Sequence, residues 1–221
     1  MKRLLIVDDH VVVRDGVKRL LENHPGGIEF GDAENAAEAL KLATEHAWDL
    51  VVLDISLGGR GGLDLLHDLR QLRPRLPVTV LTMYSEAQYA RRALKAGASG
   101  YITKDTPRHE LIKAFNCLLR GERYVSSALA EILAADLVRG LTVPLHESLS
   151  GREFEVMRLL ASGKTVGEIA RLLFLSDKTI STYRARILNK MGLRNNAELM
   201  HYAIHNHLAV GHLLTEETEF V

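Results

Sequence analysis

Five polar residues stand at or just past the ends of four short runs that read as strands, and together their chemistry is that of holding and transferring a phosphoryl group. Asp8 and Asp9 follow Leu4-Leu5-Ile6-Val7, and Asp54 follows Leu50-Val51-Val52-Leu53. Thr82 closes the run from Val78, and Lys104 comes just past Ser99 to Thr103. Unbroken apolar runs suit strands covered on both faces of a parallel sheet. A charge at the end of such a strand lies where open α/β sheets bind ligands, in the crevice beyond the carboxyl ends. Three carboxylates meeting at one sheet edge repel and raise each other's pKa unless a cation sits among them. A hard divalent ion, Mg²⁺ or Mn²⁺, suits such oxygen donors. The expected arrangement has Asp9 and the backbone carbonyl of Ser56 as direct ligands, Asp54 beside them and Asp8 acting through water. Lys104 and Thr82 add a positive charge and a hydroxyl donor, which is the equipment for a tetrahedral dianion. An Asp carboxylate can attack phosphorus to give an aspartyl phosphate, a transfer that depends mostly on positioning and charge neutralisation. Asp54 is therefore the expected acceptor, with Lys104 pairing one phosphoryl oxygen and Thr82 bonding another after transfer. No separate general acid is apparent near Asp54. The expectation is a phosphoacceptor that catalyses its own transfer and slow dephosphorylation, not an enzyme in the ordinary sense.

The elements that must position these groups alternate between strand and helix. Strands are expected at 4–7, near 28–30, at 49–54, 78–82 and 99–103. Between them the helical patterns place Val13, Val17, Leu20 and Leu21 on one face, then cover Ala36 to Thr44, then carry Leu63, Leu66 and Leu69, then span 86–96. A further helix, with Thr106 as N-cap and Pro107 at its first position, carries Leu111, Ile112, Phe115, Leu118 and Leu119 inward. This alternation means a parallel sheet with helices on both faces. The domain boundaries are expected at 1–122, a linker with a helix over 123–146, a second domain over 147–210 and an acidic tail over 211–221. Ala128 to Val138 is the linker helix, and Gly140, Pro144 and Ser148 mark an extended connection.

Beyond the linker the pattern is purely helical, with four helices near 151–162, 166–173, 177–190 and 196–206. Ser150 with Glu153, Thr165 with Glu168 and Asn195 with Glu198 have capping-box spacing, and Ser176 is a fourth N-cap. At about 100° per residue, the third helix aligns Ile180, Tyr183, Ile187 and Met191, with Leu188 at the edge. Lys178, Ser181, Thr182, Ala185 and Asn189 face the other way, bordered by Arg186 and Lys190. A small polar face with basic borders fits a major groove, where side chains reach base edges while Lys and Arg meet phosphates. Arg184 is nearer the apolar side and is expected to reach phosphate along the groove wall. Thr179, at the start of the helix, joins the same DNA-facing set. The pair 166–173 and 177–190, joined by Phe174-Leu175-Ser176, has helix-turn-helix proportions.

Composition narrows the classes further. The 28 basic and 28 acidic residues cancel over the whole chain, yet residues 149–210 hold nine basic against five acidic. That asymmetry points the second domain towards nucleic acid. Cys117 is the one cysteine and falls in an apolar helical run, so it reads as core packing, with no disulfide framework. The apolar run after Arg3 is too short for a signal peptide and no stretch reaches membrane-spanning length, so a soluble cytoplasmic protein is expected. The ten histidines show no metal-ligand spacing, and His201, His205 and His207 read as surface or dimer-contact residues.

At Ile6-Val7-Asp8-Asp9-His10, Leu53-Asp54, Leu81-Thr82-Met83 and Gly100-Tyr101-Ile102-Thr103-Lys104-Asp105 the chain resembles the receiver domain of two-component response regulators, over about residues 3 to 121. The resemblance implies a flavodoxin-like, doubly wound sheet of five parallel strands in the order 2-1-3-4-5. It also implies phosphorylation from the histidine of a sensor kinase, with Tyr101 as the aromatic that turns inward when Thr82 moves. The loop Ser56-Leu57-Gly58-Gly59-Arg60-Gly61-Gly62 lacks the family's usual Pro. Met83 is larger than the small residue many receivers carry there, and slow reaction with small phosphodonors is expected from it. Leu149-Ser150-Gly151-Arg152-Glu153, Glu168-Ile169-Ala170, Leu175-Ser176, Lys178-Thr179-Ile180 and Lys190-Met191-Gly192-Leu193 resemble the LuxR-type DNA-binding domain, over about 146 to 208. The combination is similar to the NarL/FixJ class of transcription regulators. It implies a homodimer on double-stranded DNA, paired partly through Ala197 to His205, with Ser181, Thr182 and Ala185 at the base-reading positions. Two other readings stay open: a DNA-binding regulator independent of phosphorylation, and a phosphoryl-relay protein whose C-terminal domain binds protein.

Overall fold

The computed structural model describes residues 1–57, 61–138, 144–206 and 208, without the side chains of 136–138. The expectations for Gly58, Gly59, Arg60, Gly140, His207 and the acidic tail lie outside these residues. The chain divides into two compact units, Met1–Thr142 and Val143–Val221.

The first unit alternates β1 Lys2–Val7, α1 Val11–Leu21, β2 Ile28–Ala33, α2 Ala36–Glu45, β3 Leu50–Leu53, α3 Gly62–Leu72, β4 Val78–Thr82, α4 Glu86–Lys95, β5 Gly100–Thr103 and α5 Arg108–Leu119, then adds α6 Ser127–Val138. The five strands form one parallel sheet in the order β2-β1-β3-β4-β5. Leu4, Ile6, Leu50, Val52, Leu81 and Ile102 pack with Val17 and Leu21 of α1 and Phe115 and Leu118 of α5 in one core. Leu5, Val51, Leu53 and Val80 point the other way by alternation and are equally buried. Burial on both faces is what the unbroken apolar runs require, and each such side chain stabilises by about 1.5–3 kcal/mol.

Register decides where the polar residues meet. Val7 pairs with Leu53, so Asp8 and Asp54 leave the sheet side by side, and the Asp54 N–H donates to the Val7 carbonyl at 2.9 Å. Thr82 pairs with Thr103, and the Lys104 N–H donates to the Thr82 carbonyl at 2.8 Å. A Cβ at Gly62 would fall 2.3 Å from the Ile55 Cα and 2.9 Å from the Asp54 carbonyl oxygen. Glycine there lets α3 start against the backbone that carries Asp54.

Several boundaries differ from the sequence reading. β2 runs on to Ala33, and β3 ends at Leu53, with Asp54 the next residue. Pro107, not Thr106, precedes the first turn of α5, and the Thr106 hydroxyl instead pairs with that of Thr103 at 3.1 Å. Cys117 is only half-buried; its thiol donates to Glu122 Oε2 at 3.3 Å, so it lies at the rim of α5 and not in the core. The helix expected inside the linker packs on α4 in the first unit. It is tied there by the Ser126 hydroxyl, which donates to Glu86 Oε1 at 2.6 Å, and by the Tyr124 N–H, which donates to the Ser99 carbonyl at 3.0 Å.

The second unit consists of a 3-10 helix Leu145–Ser148 and helices α7 Gly151–Ala161, α8 Val166–Leu172, α9 Asp177–Met191 and α10 Asn196–His205. The stretch expected to be extended is thus the opening turn of this unit: His146 is buried against Phe154, and its Nδ1 lies 2.8 Å from the Tyr202 hydroxyl. Ser150 and Thr165 form complete capping boxes with Glu153 and Glu168. Asn195 forms half of one: it accepts from the Glu198 N–H, but Glu198 accepts from the Arg194 N–H instead. The turn between α8 and α9 passes through Phe174 with φ +53°, a left-handed conformation that costs a non-glycine residue roughly 1–2 kcal/mol. Among the described residues no helix is long and apolar enough to cross a membrane.

Candidate phosphoryl site and nucleic-acid interface

Asp8 and Asp54 are each only 2% exposed, and Lys104 spans them. Its Nζ lies 2.7 Å from Asp8 Oδ2 and 2.6 Å from Asp54 Oδ2. Burial lowers the Lys104 pKa, but the hydrogen bonds and charges of Asp54 and Asp8 more than offset this and hold it above the usual lysine range. The second oxygen of Asp54 accepts from the Ser56 N–H at 2.8 Å, which fixes the carboxylate's orientation. The Ser56 hydroxyl is 3.3 Å from that of Thr82, which is fully buried and also accepts from the Tyr84 N–H at 3.4 Å. Tyr101 is fully buried, and its hydroxyl donates to the Tyr84 carbonyl at 2.8 Å. Met83, between these, is 71% exposed.

Asp9 differs from its neighbour. Its carboxylate is half open to solvent and 2.7 Å from His10 Nδ1. One ligand atom each from Asp8, Asp9 and His10 lies within 4.8 Å of the others, a spacing that could hold a metal ion. Asp54 is not part of that group, and its two oxygens accept from Lys104 and from the Ser56 N–H. Two contributors escaped the sequence reading. His10 belongs to this cluster through its position next to the acidic pair, with no second histidine nearby in sequence to mark it. Arg14 is a buried guanidinium that donates to the Asp8 carbonyl at 2.7 Å and to Glu34 Oε1 at 2.7 Å, and so supports the acidic turn from below. An arginine four residues beyond His10 on a short helix was the available signal.

In the second unit, Lys178, Ser181, Thr182, Ala185, Arg186, Asn189 and Lys190 are exposed on α9, and Thr179 is half-buried. Ile180, Ile187, Leu188 and Met191 are buried, as the helical spacing requires. Two of the basic residues are committed within the unit. Arg184 Nε donates to Asn196 Oδ1 at 2.7 Å, which ties α9 to α10. Lys190 Nζ lies 2.6 Å from Glu153 Oε2, the buried capping-box carboxylate of α7. Thr182 donates its hydroxyl to the Lys178 carbonyl at 2.9 Å. Lys178, Ser181, Arg186 and Asn189 are outward polar groups on the same helix.

The Glu153 clamp gives a stability test. Burial pushes its carboxyl up, but hydrogen bonds from Lys190 and from the Ser150 backbone outweigh that and leave it below the usual carboxylate range. A depressed pKa contributes stability above the unfolded value, near pH 4.3, and loses it as pH falls through the folded value. Glu153→Gln is expected to cost about 1–2 kcal/mol at neutral pH. In urea unfolding followed by circular dichroism, the gap to the parent protein should close below about pH 4.

A doubly wound sheet with a basic-acidic cluster at its carboxyl edge, joined to a helix-turn-helix unit, defines a receiver coupled to a DNA-binding-type module. Residues 4–116 match the response regulator receiver domain family, and residues 147–203 match the luxR family of bacterial regulatory proteins. The chain belongs to the two-component response regulators of the NarL/FixJ type. It is 32% identical over 218 residues to the response regulator UvrY of Escherichia coli K12, covering 98% of this chain and 100% of that one. It is 38% identical over 209 residues to the transcription regulator BvgA of Bordetella pertussis, covering 94% and 99%. A structure of RcsB from Salmonella enterica serovar Typhimurium, bound to promoter rprA in the presence of phosphomimetic BeF3⁻, matches with TM-score 0.62 and 26% identity over 91% of this chain and 97% of that one.

Proposed function

We propose that the protein takes a phosphoryl group onto Asp54 from the histidine of a sensor kinase, and that this modification sets its affinity for double-stranded DNA and so controls transcription from the cytoplasm. The observation that carries the reading is Lys104 drawn onto two buried carboxylates, Asp8 and Asp54, at the carboxyl edge of the sheet. With Asp9 beside them, three carboxylates meet one ammonium, and that excess of negative charge suits a divalent cation. Mg²⁺ or Mn²⁺ would be held by Asp9, Asp54 and the Ser56 backbone carbonyl, with Asp8 acting through water. When bound, the ion supplies charge neutralisation for the phosphoryl oxygens.

The chain's own groups do the rest. The Ser56 N–H orients Asp54, and Lys104 already touches the acceptor's other oxygen, ready to pair with a phosphoryl oxygen. The Thr82 hydroxyl can turn towards the new group, which loosens its contact with the Tyr84 N–H. Tyr101 and Tyr84 share a hydrogen bond, and Glu86, two residues on, accepts from Ser126. Ser126 in turn accepts from the Leu129 N–H in the first turn of α6 at 3.0 Å. A shift at Thr82 therefore has a contiguous route through the start of α4 to α6, the last helix before the second unit. Phosphorylation acts by biasing this element between two arrangements.

The second unit would dock α9 in the major groove as a homodimer, with Ser181, Thr182 and Ala185 nearest base edges and Lys178, Thr179, Arg186 and Asn189 along the phosphates. RcsB, bound to promoter DNA, supports this reading by its likeness. Fluorescence anisotropy with promoter fragments at roughly 50 to 200 mM salt tests it. Lys178→Ala or Arg186→Ala is expected to weaken binding to all sequences alike and to lower the slope of log affinity against log salt by about 1. An unchanged slope would remove α9 from the interface, and a protein without salt-dependent DNA affinity would instead be a phosphoryl relay with a protein-binding end.

A further inference from the structure

The amino edge of the first unit's sheet, at the opposite ends of the strands from Asp54, carries an open cleft of about 470 Å³. It is built by the turn into β3, with His46 and Trp48, and by the end of α3 and the segment after it, with Leu72, Arg73, Pro74 and Arg75. Trp48 is pinned in place. Its Nε1 donates to the Leu42 carbonyl at 2.9 Å, and a Cβ at Gly31 would fall 2.2 Å from its Cη2, so β2 leaves room for the indole only because Gly31 has no side chain. The Arg3 guanidinium lies over the ring, 4.9 Å from its centroid, and is neutralised by Glu29. His46 stands edge-on to the same ring at 6.0 Å.

The charge lining the cleft has one sign, since no Asp or Glu contributes to it. Arg73 forms part of the wall: its Nε donates to the Ala43 carbonyl and its Nη2 to the Thr44 carbonyl, both at 3.1 Å, while its Nη1 makes no hydrogen bond among the described residues. Arg75 is exposed and has no hydrogen bond or ion pair among the described residues. Two guanidinium groups without a carboxylate therefore stand beside an aromatic ring and the apolar Leu72 and Pro74.

We propose that this cleft binds a nucleoside phosphate, with the base against Trp48, Leu72 and Pro74 and the phosphate oxygens on Arg75 and Arg73. Each part of such a ligand meets a counterpart. The volume falls within the roughly 300–1,000 Å³ of small-molecule sites. Planar guanidinium forks match phosphate oxygens in pairs, and an aromatic side chain stacks on any base. An extended peptide fits less well, because β3 and β4 are interior strands and the cleft at their ends offers no unpaired strand edge. The site lies at the other edge of the sheet from Asp54, so it stands or falls apart from the phosphorylation reading.

Trp48 is the chain's only tryptophan, and so it reports on its own cleft. The full chain, in EDTA to keep metal from the acidic cluster, is titrated with methylanthraniloyl-ADP while energy transfer from Trp48 is read. Saturable transfer with a dissociation constant below about 1 mM is expected, reversed by unlabelled ADP and at least about tenfold less well by inorganic phosphate. Arg75→Glu should weaken binding by about tenfold or more, and Arg75→Gln should weaken it in the same direction. Arg19→Glu, the same charge change on the exposed side of α1, should alter it by less than about twofold. No saturable transfer, equal losses in Arg75→Glu and Arg19→Glu, or phosphate competing as well as ADP would overturn the proposal. Melting curves of the Arg75 variants, expected to match the parent because the side chain is exposed, show that the fold is intact.

Discussion

Asp54→Asn is expected to abolish phosphoryl uptake and, with it, every response of dimerisation and DNA affinity to a phosphodonor. An amide lacks the nucleophilic carboxylate oxygen that such a transfer needs. Coupling between two sites in one protein is commonly worth 5- to 150-fold in affinity, so the parent should bind promoter DNA about tenfold or more tightly after treatment with acetyl phosphate. The variant should bind equally with and without it. Sedimentation velocity and anisotropy on the same samples read both effects. A variant that still tightened its grip on DNA would show that phosphorylation at Asp54 is not the switch.

Lys104→Met carries the second large effect, this time on stability. Lys104 is the cation shared by two buried carboxylates, and its removal leaves Asp8 and Asp54 facing each other without compensation. Breaking buried pairs from one side costs several kcal/mol. A loss of about 3 kcal/mol, or roughly 10 °C in melting temperature, is expected at neutral pH. Mg²⁺ should restore more stability to the variant than it adds to the parent, because the ion supplies the missing charge. The parent has its own pH signature. A raised lysine pKa contributes stability that is complete below the unfolded value, near pH 10.4, and is lost as pH rises through the folded one. The Lys104 contribution should therefore be flat through neutrality and fade only in alkali. A variant as stable as the parent would mean that Asp8 and Asp54 do not share a confined, charged site.

The sheet and its reactive edge were legible in the sequence because both depend on local facts. Unbroken apolar runs marked β1 and β3, each followed directly by an Asp, and the largely apolar β4 closes on Thr82. The buried stripe of α9 followed in the same way from helical spacing. What was not legible depends on partners distant in sequence. Lys190 lies on the polar side of α9, but Glu153, held in place by the capping box of α7, claims it from 37 residues away. Arg184 is taken by Asn196 on the next helix. The segment 123–138 reads as a connection because nothing in it shows that Ser126 will meet Glu86 or that the helix will lie on α4. Cys117 has the right period for the core, but it points to the rim, where Glu122 and the Arg123 carbonyl meet the thiol.

The most direct measurement is the chemical state of Asp54 after incubation with acetyl phosphate and Mg²⁺, trapped by borohydride reduction and read by peptide mass spectrometry. Modification confined to Asp54, dependent on the cation and absent after chelation, is the expected result. An intact, folded protein whose Asp54 stays unmodified with acetyl phosphate and with phosphorylated histidine kinases alike would contradict the account.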